Sequence, residues 1–235
     1  MRGEADVAAA AALLAEPARA ALVVALTEHE TLPASALAAH AGIAPSTASE
    51  HLRKLVAGGF LASRKNGRHR YFSLADPAVA DAIEALACVA PQPPVRSLRE
   101  ATKSELIRSA RTCYDHLAGR LGVELAAALE REQVVIRRNG DYELGPKAEA
   151  RCEALGIDLA ELEAQRRPVV RGCLDWSERE LHVAGALGAA LASRFFELGW
   201  IRRRDGNRSV EVVDANAVLC SSSSATSTTT PAVAA

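Results

Sequence analysis

The chain has 235 residues, 49% of them apolar and 24% charged, and a formal net charge of −1. That length and apolar content can bury a real core and suit two domains, while a net charge near zero supplies no global basic field, so a nucleic-acid partner has to be met by a local cluster of Lys and Arg. The five cysteines, at 88, 113, 152, 173 and 220, are odd in number, widely spread and without a CxxC pair, which argues against a disulfide scaffold or a zinc ribbon and favours a reducing cytoplasm.

Near the start, VAAAAALLAEPARA has Glu4 and Asp6 where a signal peptide wants positive charge, and its apolar run is mostly Ala, so it reads as helix. No run of some 18 strongly apolar residues occurs, and no membrane span is expected. Residues 7–28 read as one or two helices, with Pro17 opening the second. TLPASALAAHAG gives a short helix capped by Ser35 and ended by Gly42, where a left-handed residue is tolerated. Another helix follows, capped by Ser46 or Thr47, with Ala48, Leu52, Leu55 and Val56 as its buried stripe. Its other side carries Ser46, Thr47, Ser49, Glu50, Arg53 and Lys54. Two short helices around a Gly-containing turn form a helix-turn-helix, whose second helix offers small hydrogen-bonding residues to base edges.

FLASR and HRYFSL are strand-like, and the Asn-Gly of KNGR between them signals a tight turn. Arg64, Lys65, Arg68, His69 and Arg70 crowd its tip, a charge pattern shaped to lie along phosphates. The stretch reads as a winged helix that binds double-stranded DNA. The competing reading is a winged helix that docks protein, its charged hairpin serving only to protect a solvated edge.

TLPASALAAHAGIAPSTASEHLRKLVAGGFLASRKNGRHRYFSL resembles the DNA-binding half of the ArsR-type bacterial repressors, through S-T-x-S-x-H-L-x-x-L at Ser46 to Leu55 and the wing pattern from Gly67 to Phe72, over about the first 90 residues. The resemblance implies a homodimer on an inverted repeat, with Ser46, Thr47, Ser49 and Glu50 nearest the bases and the wing on flanking backbone. A carboxylate at Glu50 either accepts from a cytosine amino group or sits slightly out of the groove. The family's cysteine pair in the first helix of the motif has no thiol counterpart in Leu32 to Leu37. The helix after the wing has Asp76, Asp81, Glu84 and Cys88 but no histidine, so the second familiar metal box is missing as well. That helix is expected at the dimer interface, with Val79, Ile83 and Leu86 as its apolar side.

The domain reading is 1–90 for the winged helix, 91–97 for a Pro-rich linker, 98–213 for a second domain and 214–235 for a polar, disordered tail that includes Cys220. The second domain repeats itself: His116-Leu117-Ala118-Gly119-x-Leu121-Gly122 recurs as His182-Val183-Ala184-Gly185-x-Leu187-Gly188, a shift of 66. The same shift carries Arg137-Arg138-Asn139-Gly140 onto Arg203-Arg204-Asp205-Gly206. Each copy places a helix with close-packing glycines ahead of a hairpin, the winged-helix order again. The fold class expected is therefore mainly α with small β-hairpins (α+β): a winged helix-turn-helix, then a pseudo-repeated, winged-helix-like helical domain.

Within that domain RTCYDH is expected on one helix, with Cys113 and His116 sharing a face, and RGCLDWSEREL supplies Cys173, with Asp175 or Ser177 as a cap. Each half has an Arg-x-Cys-x-Asp element, the two 60 residues apart. If the halves pack together, Cys113 and Cys173 meet, with His116, His182 and Cys152 as further ligands for a thiophilic metal or metalloid ion, or for a reversible disulfide. The bland alternative is that these cysteines and histidines are core residues. An organic effector walled by Tyr114, Trp176 and Phe195 is a third reading, and Tyr142 and Trp200 are assigned to packing. There is no GxGxxG, Walker loop, HExxH or GxSxG, so no enzyme is expected. The whole reads as a cytoplasmic, homodimeric, sequence-specific repressor without a membrane partner, released from its operator by an effector.

Overall fold

The computed structural model describes residues 5–29, 31–91, 94–204 and 207–219. Gln92 and Pro93 of the linker, the Asp205-Gly206 turn, and Cys220 with the Ser/Thr-rich tail lie outside the described residues.

Two helices do form before residue 30, and Pro17 opens the second. Asp6 caps α1 (Val7–Leu14) by accepting from the Ala9 N–H, and α2 (Pro17–Glu28) begins at Pro17, where a missing N–H costs nothing. The two helices meet at 92°, and no single helix among the described residues is long and apolar enough to cross a membrane. Leu22, Val23, Ala25 and Leu26 of α2 are fully buried. Around them close β1 (Leu32–Pro33), α3 (Ala34–Ala41), α4 (Pro45–Ala57), β2 (Leu61–Asn66) and β3 (His69–Leu74), through Leu37, Leu52, Leu55, Leu61 and Phe72. The sheet order β1-β3-β2 makes this unit a winged helix.

Local details differ from the sequence expectation. Ser35 does not cap α3, because Leu32 and Pro33 pair with β3 and the chain enters the helix at Ala34 with Pro33 as N-cap. Nor do Ser46 and Thr47 cap α4: Pro45 occupies its first position, behind Ala44, and no side chain caps it. Gly42 ends α3 with φ at 64°, as its sequence position suggested. In the wing Asn66 pairs with His69, so the turn is Gly67-Arg68 instead of Asn66-Gly67.

The helix after the wing, α5 (Pro77–Val89), divides its loyalties. Val79 and Ile83 pack back onto the N-terminal core, whereas Leu86 and Val89 are exposed. Glu84 is buried and pairs with Arg208 of the C-terminal domain, and Asp81 pairs with Arg171.

The C-terminal domain opens with α6 (Leu98–Ser109), capped by Ser97. Its first repeat comprises β4 (Arg111–Cys113), β5 (His116–Ala118), α7 (Gly119–Arg131), β6 (Val135–Arg138) and β7 (Asp141–Leu144). After α8 (Ala148–Ala154) and α9 (Leu159–Glu163), the second repeat comprises β8 (Arg171–Leu174), β9 (Leu181–Ala184), α10 (Gly185–Glu197), β10 (Ile201–Arg203) and β11 (Val210–Val212). Each copy runs hairpin, helix, hairpin. RTCYDH is thus not helical. Thr, Cys and Tyr suit a strand, and both strands are so short and so fully buried that no alternation marks them. A last helix, α11 (Ala215–Leu219), sends Val218 into the domain core, so residues 215–219 are helical where a disordered tail was expected.

The two repeats pack reciprocally, α7 against β9 and α10 against β5. Two glycines make this possible. A Cβ on Gly122 would come within 2.6 Å of the Leu117 carbonyl oxygen and 3.5 Å of His182 Cβ. On Gly188 it would come within 2.6 Å of the Val183 carbonyl oxygen and 3.2 Å of His116 Cβ. Each helix leaves room for the other copy's histidine.

A buried ion pair crosses the same seam, with Arg111 Nη2 2.9 Å from Asp175 Oδ2 and neither side chain exposed. Asp175 Oδ2 also accepts from the Gly119 N–H at 2.6 Å, at the positive end of α7. Its Oδ1 accepts from the Ser177 and Glu178 N–H groups, so Asp175 caps a turn of the β8–β9 loop.

Gly→Ala on an open helix face stabilises by roughly 1 kcal/mol. At Gly188 the sign should reverse, with a loss of about 1–3 kcal/mol in denaturant unfolding, and a stabilised Gly188→Ala would contradict the close approach. Asp175→Asn should cost about 3–5 kcal/mol by stranding the Arg111 charge, and adding Arg111→Met should recover part of that loss in a double-mutant cycle. Purely additive losses would show that the pair does not act as a unit.

Candidate functional sites

The first site is a surface. On α4, Ser46, Thr47, Ser49, Glu50, Arg53 and Lys54 are all exposed, opposite buried Ala48, Leu52 and Leu55. Arg64, Lys65, Arg68, His69 and Arg70 of the wing are exposed as well. Three of these side chains have local partners: the Ser49 hydroxyl donates to the Pro45 carbonyl at 2.8 Å, and Lys54 Nζ lies 2.7 Å from Glu50 Oε1. That lysine holds the Glu50 carboxyl below its usual range. Across the wing Lys65 stands directly opposite Arg70, a like-charge pairing that destabilises a hairpin in isolation.

The second site is buried. Cys113 and His116 are register partners across the β4–β5 hairpin, and Cys173 and His182 are partners across β8–β9. Cys113 to His116 spans three positions and Cys173 to His182 nine, which is why the copies are offset by 60 before this loop and by 66 after it. The hairpins face one another with Cys113 Sγ 3.9 Å from Cys173 Sγ and His116 Nε2 3.1 Å from His182 Nε2. One ligand atom from each of the four lies within 4.8 Å of the others, and all four side chains are buried.

Both imidazoles turn Nε2 inward and Nδ1 toward a carboxylate: His116 Nδ1 is 3.2 Å from Asp115 Oδ1, and His182 Nδ1 is 3.4 Å from Asp175 Oδ2. The contact between the two sulfurs, helped by both histidines against the cost of burial, holds Cys173 far below the usual thiol range. The same contact, with burial, pushes Cys113 up. Burial pulls His116 down, but its bonds to Asp115 and Cys173 outweigh that and raise it. For Asp175 burial is outweighed by His182 and Arg111, and its carboxyl stays well below the usual range.

Other sequence candidates do not gather here. Cys152 sits on α8 in the larger core, outside the cluster, where burial raises its thiol. The three aromatic residues expected to wall one pocket are dispersed. Phe195 is fully buried against Trp200, Tyr114 lines a cleft of about 600 Å³ beside α2, and Trp176 lines another of about 760 Å³. Tyr142 packs in the core as expected and donates to Glu130 Oε1 at 2.8 Å. The carboxylates behind the histidines, Asp115 and Asp175, and their guanidinium partners, Arg167 and Arg111, were not singled out beforehand as functional. The recurring Arg-x-Cys-x-Asp element was the available signal for three of the four.

The hairpin that carries Cys173 and His182 also touches α5. Cys88 Sγ donates to the Leu174 carbonyl at 3.6 Å, and Arg179 of the β8–β9 loop donates to the Cys88 carbonyl.

A helix-turn-helix domain family matches residues 14–64, from the end of α1 into β2. The uncharacterized HTH-type transcriptional regulator YdfF of Bacillus subtilis (strain 168) is 38% identical over 213 residues, which cover 91% of this chain and 94% of that protein. Among solved structures, the winged helix-turn-helix DNA-binding domain of Mb0332 from Mycobacterium bovis, described as homodimeric and as a possible ArsR-family regulator, is 27% identical with a TM-score of 0.32, over 38% of this chain and 89% of that one. The cadmium metal-sensor CMTR of Mycobacterium tuberculosis is 32% identical with a TM-score of 0.32, over 39% of this chain and 99% of that one. With a relative aligned along nearly its whole length, the chain belongs to the HTH-type transcriptional regulators, DNA-binding proteins and not enzymes.

Proposed function

We propose that this regulator is a cytoplasmic, homodimeric repressor that holds an imperfectly palindromic operator and leaves it when an effector acts on the C-terminal domain. The observation that carries the DNA reading is the wing. Lys65 opposite Arg70, with Arg64 and Arg68 beside them, gathers four exposed cations on one short hairpin, an arrangement that phosphate relieves. Ser46, Thr47 and Ser49 at the start of α4 then meet base edges, Arg53 and Lys54 meet backbone, and Glu50, held by Lys54, meets a cytosine amino group or stands aside. Support for the dimer comes from Leu86 and Val89, apolar and exposed at the end of α5. For the effector, the reading rests on Cys113, His116, Cys173 and His182, whose hairpin loop contacts that helix. The four described cysteines are free thiols, in keeping with a reducing compartment.

Arg68→Ala with Arg70→Ala should weaken binding to every DNA and flatten the dependence of affinity on salt, whereas Ser49→Ala should change preference at one base pair by roughly tenfold. Binding measured by fluorescence anisotropy across a salt series checks both. An unaltered salt slope in the double variant would remove the wing from the phosphates and favour protein docking instead. Light scattering at micromolar concentration should give a dimer without DNA, since half-sites about one helical turn apart require two reading helices, and a monomer would contradict the proposal.

A further inference from the structure

Two facing Nε2 atoms 3.1 Å apart pose an electrostatic problem. Each imidazole turns its Nδ1 toward a carboxylate, so the tautomer that puts the proton on Nδ1 leaves both Nε2 lone pairs aimed at one another in a site closed to water. Something positive has to lie between them. A shared proton would serve one pair of atoms, but it would not explain why two cysteine sulfurs converge on the same point from the same two hairpins.

The geometry points to a divalent cation of the zinc class, bound by Cys113, His116, Cys173 and His182 as a tetrahedral centre that bridges the two repeats. Bonds of about 2.3 Å to sulfur and 2.0–2.1 Å to nitrogen put the ligands of a tetrahedral ion about 3.8 Å apart for the sulfur pair and about 3.3 Å apart for the nitrogen pair. The protein holds these pairs at 3.9 Å and 3.1 Å. A disulfide, by contrast, needs its sulfurs at about 2.05 Å and gives the histidines nothing to do. The absence of oxygen donors among the four excludes calcium and magnesium, and two thiolates with two imidazoles suit zinc or cobalt(II).

The surroundings fit a ligated centre. Asp115 and Asp175 stand behind the histidines as orienting carboxylates, and each is itself held by a guanidinium, Arg167 for Asp115 and Arg111 for Asp175. On binding, the cluster gives up its remaining thiol and imidazolium protons to solvent, and two thiolates with one divalent cation leave the buried cage neutral. The inference deepens the repressor reading by naming the ligand class of its C-terminal cluster. Because the β8–β9 hairpin that supplies two ligands also contacts α5, occupancy fixes the surface on which that helix lies.

The test uses the full chain, reduced, stripped with chelator and titrated with cobalt(II) alone. One equivalent should bring up the visible d–d bands of a tetrahedral site and a thiolate charge-transfer band in the near ultraviolet, and zinc should then abolish both. Cys113→Ser and Cys173→Ser should each lose the charge-transfer intensity, while Cys152→Ser, in a different core, should keep it. If a ligand variant fails to fold, Asp115→Asn still decides: it should keep the bands while weakening cobalt affinity by roughly 10–100-fold. No bands at one equivalent, or bands indifferent to both serine variants, would overturn the site. Bands without any change in operator affinity would uphold the site and overturn only its role as the effector site, and failure to bind any operator would count against the repressor reading and leave the metal site standing.

Discussion

The close approach of Gly122 to His182, and of Gly188 to His116, is the constraint on which the C-terminal domain turns. A helix that packs flat on a neighbouring strand has to give up a side chain at the point of nearest approach, and here a Cβ would strike a carbonyl oxygen of its own copy and then meet the Cβ of the other copy's histidine. The restriction works in both directions, so neither repeat is complete alone. Everything else at the seam follows from it: the histidines are brought ring to ring, 5.0 Å between centroids, and the cysteines paired with them across each hairpin are carried along.

Symmetry at the ligands is accompanied by asymmetry behind them. The first hairpin turns tightly through Tyr114, at φ 58°, whereas the second carries a longer loop stabilised by Asp175. That loop lets Asp175 reach back to Arg111 and to the start of α7, and Trp176 lies against Arg111, 4.6 Å from its guanidinium carbon. An aromatic face and a carboxylate together make a buried guanidinium tolerable where either would leave it short of partners.

The winged helix was largely legible from sequence because its signals are local. An apolar stripe on α4, a glycine at the end of α3 and a charged hairpin each declare themselves within a dozen residues. Caps were less legible: Pro33 and Pro45 decide where the helices begin, and they do so through strand pairing and backbone geometry, not side-chain hydrogen bonds. In the C-terminal domain the shift of 66 pointed to His116 and His182 together, and the repeated Arg-x-Cys-x-Asp pointed to Cys113 and Cys173. The helix expected to carry Cys113 and His116 is a hairpin, since three-residue strands buried on both faces show no period to read. The dispersal of Tyr114, Trp176 and Phe195 depends on long-range packing that no local pattern encodes.

The pairing of Glu84 with Arg208 blurs the border between the domains. Glu84 belongs to a helix whose inner face is part of the winged-helix core, while Arg208 belongs to the strand approach of the second repeat, and the two are joined where Glu84 is buried and Arg208 is partly so. A fragment ending after α5 would present the Glu84 carboxylate to water, and the remaining fragment would present the Arg208 guanidinium that it covers. A cut at that point uncovers both partners of the ion pair together with the Asp81–Arg171 contact, so the second domain owes part of its integrity to a helix that precedes it.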